Sequence, residues 1–216
     1  MIFEATFPFR LYLNLGRSDQ RRQTVEAHFF ERGLSAKRQP AVDARWLRKA
    51  KGYASTNRLA KAMGKRLAIR RAQVAGAAAL FFFEDDVVLH PDWRQKVEEI
   101  SLPEDWGVFM LGALHIRPPV PYSPGLVRCT CAVDHHAIGF RAEHFTTVRR
   151  LMRGHVFEEN PDPNRTSDVR LAEWQDRIPT YAAWPNLAWQ IGTDANTNYD
   201  AEGRQILFRE AVAGLH

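Results

Sequence analysis

Cysteine is nearly absent from this 216-residue chain. The two present, Cys129 and Cys131, stand one residue apart, so in an extended segment they share a face of one strand and do not readily close a disulfide. A disulfide scaffold is excluded, and a reducing, cytoplasmic compartment is expected. Long hydrophobic runs are missing too. The longest near-apolar stretch, Val74 to Phe83, is interrupted by Gly76 and runs into three acids; the opening MIFEATFPFR has no basic segment ahead of a long apolar one. Neither a transmembrane segment nor a signal peptide is expected. The chain also lacks a Gly-rich Walker loop, a GxGxxG, an HExxH and a serine nucleophile elbow, which sets aside the chemistries those motifs serve. It has no internal repeat and no low-complexity tract. With 45% hydrophobic and 25% charged residues it has the balance of one globular domain, long enough to bury roughly 70% of its unfolded surface without a metal or disulfide staple.

What is abundant is positive charge. The formal net charge is +5 and the pI about 9.5, which points to an anionic partner without choosing among them. Twelve basic residues between Lys37 and Arg71 face a single acid, Asp43. Leu59, Met63 and Leu67 fall at helical spacing, so much of this charge reads as a solvated helix face carrying Arg58, Lys61, Lys65 and Arg66, with a polyanion groove as the alternative.

Local patterns alternate between strand and helix. Arg10 to Leu15 reads as a strand, Asp19 to Arg32 as a helix closed by Gly33, and Ala36 to Val42 as a second strand. Ser55 is a plausible cap for a long helix ending at Gly76, and Ala79 to Phe83 is a buried strand, short and Phe-rich. A helix from His90 to about Ile100, a strand at Val108 to Leu111 and two strand-like stretches within Arg128 to Arg141 follow. This βαβαβ order implies an α/β fold with a parallel or mostly parallel sheet, whose ligands bind at the carboxyl ends of strands, after Leu15 and after Phe83. The polar, turn-rich segment from His155 to Ser167 reads as a surface loop of functional length.

After Phe83 come Glu84, Asp85 and Asp86. If the strand stays extended, Glu84 and Asp86 point to one face and Asp85 to the other. Packed like charges raise one another's pKa, so such a cluster suits a hard cation, Mg²⁺ or Mn²⁺, shared with substrate phosphates. A solvated strand end or a helix cap would also account for it. Cys129, Cys131, His135 and His136 lack zinc-finger spacing. Asp168, at the start of a helix through Glu173, reads either as a residue favoured by the helix dipole or as a general base.

Several motifs in order resemble glycosyltransferase family 25, the lipooligosaccharide and procollagen galactosyltransferase group. Leu11-Tyr12-Leu13-Asn14-Leu15 followed by Arg17, Arg21 and Arg22 is similar to that family's opening strand. Pro40-Ala41-Val42-Asp43 is similar to its PAVD motif, and Phe83-Glu84-Asp85-Asp86-Val87 to its LEDDv motif. Leu102-Pro103-Glu104-Asp105-Trp106 with Leu111-Gly112, the strand His136 to Arg141, Ser167-Asp168 with Leu171, and Pro185 with Gln190, Thr193 and Asp194 extend the likeness over most of the chain. One departure is plain: the family's Ser-His pair would fall near Gly64-Lys65.

The resemblance implies a GT-A type nucleotide-diphospho-sugar transferase fold with a mostly parallel central sheet flanked by helices. It forms a single domain, its nucleotide-binding half at about 8–112 and its acceptor-side half at about 113–216. The implied activity is metal-dependent, inverting transfer of a sugar, galactose in the named relatives, from a UDP-sugar to a glycan or other hydroxyl acceptor, as in lipopolysaccharide biosynthesis. The implied cofactor is Mn²⁺ or Mg²⁺, with Glu84 and Asp86 as ligands. Asn14, Leu15, Arg17, Arg22, Asp43, Glu84, Asp85, Gln190 and Asp194 would contact the nucleotide sugar, and Asp168 or Asp134 would act as base. Two other classes compete: a metal-dependent nuclease or phosphohydrolase, which would cleave nucleic acid with no sugar-nucleotide dependence, and a non-catalytic nucleic-acid binder using the Lys37 to Arg71 surface. Nucleic acid is not the expected partner.

Overall fold

The computed structural model describes residues 1–48, 55–153 and 166–190. The segment 155–165 of the expected loop, together with Thr193 and Asp194, lies outside them. The described elements are α1 (Phe3–Thr6), β1 (Phe9–Asn14), α2 (Asp19–Glu31), β2 (Lys37–Pro40), α3 (Thr56–Val74), β3 (Ala79–Glu84), β4 (Val87–Leu89), α4 (Trp93–Glu99), β5 (Val108–Met110), β6 (Leu114–His115), β7 (Val120–Ser123), β8 (Leu126–Arg128), β9 (Ala132–Val133), β10 (Ala137–Arg141), α5 (Phe145–Leu151), α6 (Ser167–Ala172), β11 (Thr180–Ala183) and β12 (Ala188–Gln190).

Eight strands form one sheet in the order β2-β1-β3-β10-β5-β11-β8-β7. The α/β architecture, a large central sheet flanked by helices, is as expected, but the sheet is mixed rather than mostly parallel. Only β1–β2, β1–β3 and β5–β11 pair in parallel; the other four pairings are antiparallel. Two of these come from β10, which enters between β3 and β5 and runs against both, and two from β8, which runs against β11 and β7. A hydrophobic strand flanked by turns carries no mark of its direction, so the reversal at β10 is invisible to periodicity.

Side-chain alternation along the strands separates two cores. Tyr12, Phe81 and Phe83 face one side with Phe3, Val25, Phe29, Trp93 and Val97, which places α1, α2 and α4 there. Leu11, Leu13, Leu80 and Phe82 face the other with Ala68, Ile69, Phe145, Val148 and Leu171, which places α3, α5 and α6 there.

Helix α3 begins where its sequence indicates, the Ser55 hydroxyl accepting the Arg58 amide at 3.2 Å. Its inward face is not the one expected. Leu67 is exposed, and the buried stripe is Ala60, Gly64, Ala68 and Ala72 with Lys65 and Ile69. Small residues let the helix lie close on the sheet: a β-carbon at Gly64 would come 2.9 Å from Leu13. Lys65 is carried inward with them, its side chain only 3% exposed.

Candidate active site

Parallel strands β1 and β3 end side by side, Leu13 paired with Glu84. Beyond their carboxyl ends lies a cleft of about 450 Å³, lined by Leu13, Leu15, Ala41, Val42, Arg17, Arg21, Lys61 and the three acids. Asp85 and Asp86 form the turn between β3 and β4. The expected alternation is observed there. Glu84 and Asp86 share one partner, the Gln190 amide, which donates to Glu84 Oε2 at 2.9 Å and Asp86 Oδ1 at 3.0 Å. Asp85 turns the other way and accepts from Asn14 Nδ2 at 2.8 Å, with Arg21 at 3.4 Å. Gln190 reaches the acids because β12 pairs antiparallel with β4, setting Gln190 opposite Val87.

Glu84 lies on the α3 side of the sheet and meets two lysines. Lys65 Nζ is 3.0 Å from its Oε1, and Lys61 Nζ is 3.1 Å from its Oε2. Burial alone would raise the Glu84 pKa; the two ammonium groups outweigh it and hold the carboxyl below its ordinary range. Lys65 Nζ also lies 3.6 Å from Asp168 Oδ1, which is 3.3 Å from His135 Nδ1. Burial would raise Asp168 too, and the net effect of His135, Lys65 and the Ser167 hydroxyl is to hold it well below the usual carboxylate range. Burial pushes His135 down to about 4, so at neutral pH its ring is uncharged and the cation keeping Asp168 ionised is Lys65. Asp86 shifts upward, through burial and then the Glu84 charge.

The rest of the cluster comes from the β9–β10 connection. Asp134 adopts a positive φ of 75°, a left-handed conformation that Asp tolerates better than most residues. Its Oδ1 lies 3.5 Å from His136 Nδ1. The His136 ring is buried, which alone would lower its pKa; Asp134 and the Ala188 carbonyl outweigh that and raise it.

These shifts make stability depend on pH. Burial holds His115 and His135 down to about 4 in the fold, whereas an unfolded imidazole titrates near 6.5. Between those values the unfolded chain binds protons that the folded chain refuses. Stability should therefore fall as pH falls, by about 1.4 kcal/mol per pH unit for each imidazole. His136 has the opposite sign: its contribution is complete below the unfolded value and is lost as pH rises through its raised folded value. Glu84 and Asp168, whose folded pKa values are depressed, add a further loss at more acid pH. Urea midpoints measured from about pH 7 down to about pH 4.5 check this, and a midpoint that does not move would overturn the buried, neutral imidazoles.

The predicted nucleotide contacts divide. Leu15, Arg17, Glu84 and Asp85 line the cleft. Asn14 borders it, 1% exposed, with Nδ2 bonded to Asp85 and to the Ser18 carbonyl and Oδ1 buried without a hydrogen-bond partner among the described residues. Asp43 is drawn to Arg45 and Arg17, which hold its carboxyl below the usual range. Arg22 is not brought to the cleft; it pairs with Asp19 on its own helix at 3.1 Å. Lys61 and Lys65 were missed as site residues. Their signal was the i, i+4 spacing of Ala60, Gly64, Ala68 and Ala72, which sets Lys65 beside the packed face.

A dication at Glu84 and Asp86 needs carboxylate oxygens free of competing cations. Both Glu84 oxygens face ammonium groups, and the Gln190 amide occupies Asp86 Oδ1. Among the described residues no group of three or more His, Cys, Asp or Glu could hold a metal ion. The described residues do not fit the implied cation. Among them, too, no helix is long and apolar enough to cross a membrane.

No protein-family model matches the chain, and no curated protein matches it. Among solved structures it is similar to A197 from STIV, at 12% identity over 86% of this chain and 85% of that one, with a TM-score of 0.51. It is also similar to a glycosyltransferase involved in the glycosylation of the major capsid of PBCV-1, at 11% identity over 82% and 81% with a TM-score of 0.47. A third is a Drosophila beta-1,4-galactosyltransferase 7 mutant in complex with manganese, UDP-Gal and xylobiose, at 13% identity over 94% and 78% with a TM-score of 0.49. At these identities the likeness to A197 bears on the fold alone, and the fold it supports is the α/β sheet with helices on both faces.

Proposed function

We propose that this chain is an inverting glycosyltransferase of the family 25 kind, which takes a UDP-sugar as donor and a glycan or other hydroxyl as acceptor. The observation that carries the reading is the cleft at the carboxyl ends of β1 and β3. It combines apolar walls from Leu13, Leu15, Ala41 and Val42, suited to a flat base, with Arg17, Arg21 and Lys61, suited to a diphosphate.

In this reading the acceptor hydroxyl oxygen attacks the anomeric carbon. The bond from that carbon to the diphosphate breaks, and the nucleotide leaves with the electron pair. The proton of the hydroxyl passes to a carboxylate on the opposite side from the leaving group. Asp168 is the first assignment and Asp134 the second, since each keeps part of its side chain open, at 27% and 20% exposed. Lys65 keeps Asp168 deprotonated at neutral pH, as a base must be, at a cost in basicity. Arg17 and Arg21 take charge that develops on the leaving diphosphate.

Calorimetric titration of UDP and a panel of UDP-sugars is the test. Binding of one donor is expected, weakened about tenfold or more in Arg21→Ala. Asp168→Asn should keep donor binding and lose most of the transfer rate. Cleavage of nucleic acid with no nucleotide-sugar binding would replace this reading with a nuclease.

A further inference from the structure

We propose that this site holds its nucleotide diphosphate without a divalent cation, the positive charge being supplied by Lys61 together with Arg17 and Arg21. This rests on the transferase reading and narrows it. In a site that closes acidic side chains around a diphosphate, a cation serves two ends: it screens the carboxylates from one another, and it screens them from the phosphates.

In this chain the first is accomplished by side chains. Glu84 carries Lys65 on one oxygen and Lys61 on the other, Asp85 lies beside Arg21, and the Gln190 amide spans Glu84 and Asp86. Glu84 and Asp85 thus meet cations before any ligand arrives, and Asp86 meets the neutral Gln190 amide. A dication brought to Glu84 would have to displace an ammonium group or sit against two of them.

The second falls to Lys61. Lys65 is 3% exposed and cannot leave its partners, but the Lys61 side chain is 61% exposed and lines the cleft with Arg17 and Arg21. An ammonium group on a flexible stem is able to turn from Glu84 Oε2 toward a phosphate oxygen, because Lys65 and Gln190 still hold Glu84 when it does. Lys65 is accordingly a positioning residue, and Lys61 the group that touches the diphosphate.

The experiment is titration of UDP and the UDP-sugar panel into the full chain, in excess EDTA and in Mn²⁺. The expected result is a Kd that agrees within about threefold in the two buffers and rises with added NaCl, as direct ion pairing requires. Lys61→Ala should weaken binding about tenfold or more in both buffers, and Lys61→Arg should retain most of it. Because Lys61 is exposed, the thermal midpoint of Lys61→Ala should match wild type, so a loss of binding is not a loss of fold. Binding seen only with Mn²⁺, or full binding by Lys61→Ala, would overturn this inference and leave the transferase reading standing. No nucleotide binding in either buffer would overturn the transferase reading itself, and the inference with it.

Discussion

Lys65→Met should destabilise the chain by about 3–5 kcal/mol, the cost of stripping the partner from a buried charge. The lysine sits between Glu84 Oε1 at 3.0 Å and Asp168 Oδ1 at 3.6 Å, in a helix face that otherwise packs alanine and glycine on the sheet. Methionine fills the stem's volume and cannot answer either carboxylate. Glu84 retains Lys61 and Gln190, but Lys61 is solvated and its hold is weaker. The companion variant separates charge from packing. In Lys65→Met with Glu84→Gln the glutamate charge is gone, and part of the lost stability should return while Asp168 still lacks its cation, with a coupling between the two sites of about 1–3 kcal/mol. Urea denaturation of the four proteins gives the cycle. A single-variant cost below about 1 kcal/mol would mean that Lys65 and Glu84 are solvated in the native state.

The same lysine shows where the sequence was legible and where it was not. Strand and helix limits follow local rules, and β1, α2, α3 and β3 lie within one or two residues of their predicted spans. Ser55 caps α3 for the reason its hydroxyl suggests, and the acids after Phe83 stand at the carboxyl end of a buried strand. Two things were hidden. The direction of β10 depends on where the chain re-enters the sheet, and no residue of Ala137–Arg141 records that. The inward face of α3 was misjudged because Leu59, Met63 and Leu67 outweigh Ala60, Gly64, Ala68 and Ala72 on any hydrophobicity scale, whereas the sheet below wants small side chains. That misreading turned the buried Lys65 into surface charge and hid the reach of the exposed Lys61 to Glu84. It also made three acids look uncompensated, which is why a cation was expected at them. Gly64-Lys65 was visible in the sequence; the role of that lysine, a buried counter-ion for Glu84, needed the fold.

Gly112→Ala should both lower stability, by about 1–3 kcal/mol or more, and disturb the acid turn some distance away. A β-carbon built at Gly112 would stand 1.9 Å from the Ala188 carbonyl oxygen and 3.1 Å from His136 Nε2. The obstacle is backbone, so no side-chain rotation relieves it. The contact is close because the Leu111 carbonyl accepts from the amides of both Leu187 and Ala188, drawing β12 against the end of β5. Pushing Ala188 away loosens these bonds and the His136 contact with the Ala188 carbonyl. It also shifts the next two residues, Trp189 and Gln190, so the amide that spans Glu84 and Asp86 leaves its place. The expected signature is therefore double: a lower urea midpoint, and a His136 pKa, followed by NMR titration, that falls toward the ordinary value as one of the groups raising it is lost. Gly16→Ala is the control, because a β-carbon there meets nothing within 4 Å, and it should leave both readouts unchanged. If Gly112→Ala lowers the midpoint while the His136 pKa stays put, the strain is absorbed in β5 and Gln190 is held by β4 alone. If both move together, a glycine outside the cleft sets the position of the amide that spans Glu84 and Asp86, by the nearness of two backbones rather than by any side chain of its own.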